Sequence, residues 1–147
     1  MGIARRFVEA ADLVVTVWDG AVTAAEWADV VQGQVGDARA SEGNRRLADL
    51  RTIDFSSITA ADVEAITSAF QAVELDRSRV RFAVVVDEGW VIAQHAEEQM
   101  GAQGATTVTF NDMYSACAWL GVDPSIALAT IAELRSELRS TETGEPR

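Results

Sequence analysis

A chain of 147 residues, nearly half of them apolar, suits one domain that buries roughly 68–70 % of the surface it exposes when unfolded, so folding requires neither a disulfide nor a metal. Twenty-three acidic against 12 basic residues leave a net charge of −11 that repels a nucleic-acid backbone. The lone Cys117 excludes an intramolecular bridge and a cysteine-based zinc site. No apolar run nears the roughly 18 residues of a membrane span, and the start leads into strand-like sequence. A soluble, cytoplasmic protein is expected, with no export signal, no integral membrane association and no nucleic-acid partner.

Two strands open the chain, at 6–9 and in the β-branched run 13–18, and the short connection 10–12 makes an antiparallel hairpin the simplest pairing. Asp19-Gly20 then turns the chain. Thr23 and Glu26 have capping-box spacing, and Val22 with Trp27 can form the hydrophobic staple of a helix that carries Val30, Val31 and Val35 on one face. Residues 35–44 have turn composition and read as a loop, and a strand follows at 46–50.

The arrangement then repeats. Thr59 and Asp62 mark a second helix start, flanked by Ile58 and Val63, and Ile66, Phe70 and Val73 continue the buried stripe. The continuously apolar stretch within 80–86 is that of a central strand covered on both faces. A helix is expected over 90–100, with Ile92, Ala93, Ala96 and Met100 on one side and Gly101 as its stop, and the last strand over 106–110.

Asn111 or Asp112 can cap a short helix that turns Met113, Ala116, Cys117 and Leu120 inward and ends at Gly121. Asp123-Pro124 starts another, with Ala127, Ile131, Leu134 and Leu138 as its stripe. The polar stretch 140–147 has little to bury. The expected organisation is one α/β domain over 1–139 with a disordered tail over 140–147. A single mainly parallel sheet of about five strands, with an antiparallel edge strand, is flanked by about five helices.

Chemistry is sparse. No nucleophile-and-base pair, metal cluster or phosphate-cradling glycine loop shows its spacing, and the absence of lysine excludes a P-loop or a Schiff base. Gly101 and Gly104 lack the pattern of a dinucleotide loop. His95 is the single imidazole and, at about 100° per residue, falls on the flank of its helix, with Glu97 on a different side. Cys117 lies in an apolar stripe, where an activated thiolate is not expected.

Asp19, Asp49, Asp54 and Asp87 stand near strand ends, where open α/β sheets bind ligands, although charged residues flanking turns are the simpler reading. Arg45, Arg46 and Arg51 around one strand, and Arg77, Arg79 and Arg81 before another, read as solvated strand ends. Trp18 and Trp27 fit buried sites. Trp90 and Trp119, with Asp87, are candidates for a ligand or partner surface, although extra core is the simpler reading of the two tryptophans.

Element order and four short segments, Trp18-Asp-Gly-Ala-Val-Thr-Ala-Ala-Glu26, Arg46-Leu-Ala-Asp-Leu50, Phe82-Ala-Val-Val-Val86, and Phe110 followed by Ala118-Trp-Leu120, resemble the STAS-like domains, in particular the SpoIIAA-like branch. That group includes bacterial anti-sigma-factor antagonists, in which a serine in an Asp-Ser-Ser-Gly-like strand-to-helix turn is phosphorylated by a partner kinase. The corresponding stretch here is Asp54-Phe-Ser-Ser-Ile-Thr59, in which Phe55 interrupts the motif and Ile58 replaces its glycine. The resemblance makes Ser56 or Ser57 a candidate phosphoacceptor, and Asp54 and Thr59 candidate partner contacts. Ordinary turn residues with Thr59 as the cap are the alternative.

The expected function is a non-enzymatic interaction or regulatory module, self-associating or bound to a protein partner, without a cofactor or metal. Its first alternative is a carrier or sensor of a small apolar ligand or lipid, held near Trp90 and Trp119. Its second is an enzyme using strand-end carboxylates.

Overall fold

The β-branched run after Asp12 forms the buried spine of the sheet, because Val and Thr side chains fit a pleated surface better than a helix. The structure is a computed structural model that describes residues 2–23, 25–26, 45–54, 56, 59, 61–64, 81–88, 94–95, 97–98 and 106–142. Five strands, β1 (Gly2–Val8), β2 (Leu13–Gly20), β3 (Arg45–Ile53), β4 (Arg81–Val85) and β5 (Thr106–Phe110), lie side by side in chain order. The β1–β2 pair is antiparallel and every other pair is parallel. The expected mixed sheet with an antiparallel edge is therefore what forms.

The first hairpin is longer than its hydrophobic pattern suggests. Glu9–Ala11 is a single 3-10 turn, and Asp12 enters the left-handed region at φ 48°, where its N–H donates to the Glu9 carbonyl at 3.2 Å. Strand β1 accordingly begins at Gly2 and ends before Glu9, instead of spanning 6–9.

Besides that turn, two α-helices are complete among the described residues: α1 (Met113–Leu120) and α2 (Pro124–Glu142). Three helical elements thus stand where about five helices were expected. Residues 25–26, 61–64, 94–95 and 97–98 are also helical, at or within the other expected helices. Helix α2 runs past the boundary expected at 139, and 143–147 lie outside the described residues.

Both capping boxes are made. The Thr23 N–H donates to Glu26 Oε1 and the Glu26 N–H to Thr23 Oγ1, both at 3.2 Å. The Thr59 N–H donates to Asp62 Oδ2 at 2.9 Å and the Asp62 N–H to Thr59 Oγ1 at 3.2 Å. Asp112 caps α1 by accepting from the N–H groups of Tyr114 and Ser115, and Gly121 ends the helix at φ 74°.

Helices α1 and α2 cover one face of the sheet, α1 over β4 and β5 and α2 over β1 and β2. The core there joins Leu13, Val15 and Val17 to Leu47, Ala83 and Val85, beneath both helical stripes expected from sequence. On the opposite face Val14, Thr16, Trp18, Arg46, Ala48 and Phe82 are buried as well, so the middle strands are covered on both sides. No single described helix is long and apolar enough to cross a membrane. The α1–α2 pair passes that test by length and composition together, but it is bent by 120° and its apolar stripes are buried on the sheet.

Candidate functional site

The carboxyl ends of β2 and β3 bring Asp19, Asp49 and Arg51 together with Arg135 of α2. Register explains how they assemble: Val17 of β2 pairs with Asp49 of β3, but Asp19 pairs with Thr52, so β3 holds one extra residue between the two pairs. Such a bulge turns Thr52 to the same face as Asp49, where strict alternation would have turned it away. Both then meet Arg135, which α2 presents one position beyond the buried Leu134.

Asp49 is fully buried yet saturated with donors. Arg51 approaches with its Nε at 2.8 Å from Oδ1 and its Nη2 at 3.0 Å from Oδ2, and its backbone N–H donates to Oδ1 at 3.1 Å. Arg135 Nη2 adds a fourth bond at 2.7 Å, while its Nη1 donates to Thr52 Oγ1 at 2.6 Å and lies 3.9 Å from Asp19 Oδ1.

Burial alone would push the Asp49 carboxyl up. The charge-assisted bonds from Arg51 and Arg135 outweigh it and hold the group below the ordinary carboxylate range. Arg51 is pushed up in turn, first by its bonds to Asp49 and less by the charge of Asp87. A carboxylate with about four lone-pair sites, all occupied, has none left to take a proton from a substrate. The arrangement ties β3 to α2. The remaining strand-end carboxylates are dispersed: Asp87 is exposed in a bend after β4, and Asp54 is exposed just beyond β3.

The segment leaving β3 is the second feature. The Asp54 N–H donates to the Gly20 carbonyl at 2.8 Å, which pins the exit to β2. Asp54 Oδ1 then accepts from the Ser56 N–H at 3.0 Å and from the Ser56 hydroxyl at 2.5 Å, closing an Asx turn. Asp54, Ser56 and Thr59 are all exposed, so three of the four residues expected in this turn are at the surface, and Thr59 also serves as the cap. Ser57 lies outside the described residues.

The third feature surrounds Trp119. Its ring packs against Phe110 with centroids 5.8 Å apart, and the Arg81 guanidinium stacks over it at 4.5 Å while donating to its backbone carbonyl. Trp119 is half-buried, and Trp90, its expected companion, lies outside the described residues.

Two expectations about isolated charges need correction. Arg46 is not at a solvated strand end: it sits within β3 at 3 % exposure, and burial, reinforced by the charge of Arg5, pushes it down to about 10. Arg45, at the start of β3, reaches across to donate to the carbonyls of Gly121 and Ala11, joining the strand to two turns. His95 is half-buried, with its Nε2 shielded from water. Cys117 is buried, and its thiol is pushed up by burial and by the charges of Asp112 and Asp123, away from thiolate reactivity. Among the described residues no group of three or more His, Cys, Asp or Glu side chains could hold a metal ion.

Sequence reasoning placed Asp49 near a strand end but missed its partners. Arg51 was legible, because an aspartate side chain readily accepts from the N–H two residues on, which keeps that residue beside it. Arg135 was not, since nothing local links positions 86 residues apart.

Comparison with known proteins adds the fold. No protein-family profile matches the chain, and no curated protein matches it. The crystal structure of an uncharacterised protein of the DUF3478 family from Shewanella loihica PV-4, described as having a SpoIIAA-like fold, superposes with a TM-score of 0.52. It shares 18 % sequence identity, and the match covers 81 % of this chain and 94 % of that one. The chain thus has a SpoIIAA-like fold, in which the parallel strands end at the Asp49 network and the exposed Asp54–Ser56 turn.

Proposed function

We propose that the protein is a regulatory interaction module that docks a protein partner through the exit of β3, at Asp54, Ser56 and Thr59, and that phosphorylation of Ser56 switches the contact. One observation carries the reading: the exposed Ser56 hydroxyl is held 2.5 Å from Asp54 Oδ1, on a turn pinned to the sheet by the Asp54 N–H. The hydroxyl is presented at a fixed place, with a carboxylate positioned to take its proton as the oxygen attacks the terminal phosphorus of a kinase-bound nucleoside triphosphate and the diphosphate leaves.

The product would reverse the local electrostatics. A phosphoserine carries about −1.5 to −2 charge and its side chain no longer donates to Asp54, so the side-chain attraction becomes repulsion that opposes the remaining bond from the Ser56 N–H and loosens the turn. The buried Asp49–Arg51–Arg135 network stiffens the strand end that carries this turn. The SpoIIAA-like fold supports the reading at the level of architecture.

A photo-cross-linking residue at position 56 should capture one protein reproducibly from the native cell, whereas the same residue at the exposed Ser136 of α2 should not. With that partner purified, Ser56→Glu should weaken binding by about tenfold or more, as like charges across a contact do, while Ser56→Ala binds as the parent does. Absence of a cross-link at 56, or indifference of binding to Ser56→Glu, would overturn the proposal.

A further inference from the structure

The two edges of the sheet are built differently. Strand β1 carries Arg5 and Arg6, and Arg6 is ion-paired with Glu133 and Glu137 of α2. Charge on an edge strand is a usual guard against pairing with another chain, since self-pairing brings like charges together. Strand β5, Thr106-Thr-Val-Thr-Phe110, has no charge, proline or glycine, and among the described residues it pairs on one side alone, with β4. In a chain of net charge −11, a neutral strip is where two copies can approach without repulsion.

The backbone direction of β5 follows from one hydrogen bond. The Val86 N–H donates to the Phe110 carbonyl at 2.9 Å, so the main-chain groups of Phe110 face β4. By alternation those of Val108 and Thr106 do too, and the N–H and C=O of Thr107 and Thr109 point to the open edge.

We infer that β5 pairs antiparallel with β5 of a second copy, about a two-fold axis through Val108, to make one continuous ten-stranded sheet from two copies of the five-stranded one. In this register Thr107 lies opposite the partner's Thr109, and Thr109 opposite the partner's Thr107. Each of the two pairs exchanges both main-chain bonds, so all the outward groups of Thr107 and Thr109 are satisfied, and Val108 faces its own copy as the non-hydrogen-bonded pair between them.

Side chains fit the same register. Thr107 and Thr109 share a face, and both hydroxyl oxygens are shielded from water with no hydrogen-bond partner among the described residues. A turn of about 120° about χ1 exchanges hydroxyl and methyl. Each hydroxyl can then meet the threonine opposite, a stabilising cross-strand pair. This contact is independent of the docking proposed at Ser56, which leaves the sheet from β3.

Sedimentation velocity over a wide dilution series should show the full chain in reversible equilibrium with a species of twice its 15.8 kDa mass. Thr107→Pro and Thr109→Pro remove a donor that β4 does not use, so both should sediment as folded monomers by circular dichroism.

The register has its own test. Opposed residues of a non-hydrogen-bonded pair have Cα atoms about 4.5 Å apart, inside the disulfide range of about 4.4–6.8 Å, so Val108→Cys should form a covalent dimer on mild oxidation. Thr106→Cys, whose counterpart is the partner's Phe110, should not. A strictly monomeric parent whose Val108→Cys variant fails to cross-link would overturn the inference, as would a dimer unaffected by folded proline variants. Where a proline variant fails to fold, the cysteine pair decides.

Discussion

Asp49 shows what a single buried charge demands. It is fully buried, and its carboxylate is stable there because two guanidinium groups and one main-chain N–H supply every bond it can accept. Removing one side of a buried ion pair strands the other. Asp49→Ala is therefore expected to cost about 3–5 kcal/mol in urea unfolding, with a smaller loss for Asp49→Asn. The pH dependence follows from the depressed carboxyl. Below its ordinary value of 3.8 the unfolded chain binds a proton that the native chain refuses, so this stabilisation is complete above that value and is lost as pH falls through the lower native one. Asp49→Asn should flatten that acid limb in unfolding titrations. Arg81 over Trp119 is a smaller, solvent-facing case, and Arg81→Ala should cost about 0.5–1 kcal/mol by the same measurement.

At the scale of elements, local chemistry was legible wherever a few neighbouring residues settle the matter. The boxes at Thr23–Glu26 and Thr59–Asp62 and the cap at Asp112 form as their spacing implies. The inward stripes Met113, Ala116, Cys117, Leu120 and Ala127, Ile131, Leu134, Leu138 are all buried. Thr59→Ala should cost about 1 kcal/mol, and it separates the cap from the partner surface because the helix start can be read by circular dichroism without any partner. Gly121→Ala should cost about 1–2 kcal/mol, since φ 74° is a left-handed geometry that a Cβ opposes. Strand ends were less legible. Strand β3 runs to Ile53 although its apolar pattern is broken after Leu50, because Arg51 and Thr52 are retained by Asp49 and Arg135 and Ile53 is buried beyond them.

For the whole molecule, a net charge of −11 opposes compaction, while the pairs made by the buried Asp49 carboxylate are screened less than fully exposed surface charge. Salt should therefore raise the melting temperature of the parent, and Asp49→Asn should lower the curve without changing its slope with ionic strength. A change of slope would mean that the network is open to solvent. The alternation of β and helical periods, the helix caps, the two buried stripes and the covered character of Phe82–Val86 are properties of short stretches of chain, and the sequence by itself determined them. The bulge that brings Asp49 and Thr52 to one face, the arrival of Arg135, the burial of Arg46 and the place of β5 at the end of the strand order, paired among the described residues with β4, belong to the tertiary structure alone. Each depends on where distant segments lie across the sheet, and the free energy that selects those positions comes from long-range packing and paired charges that no local window contains.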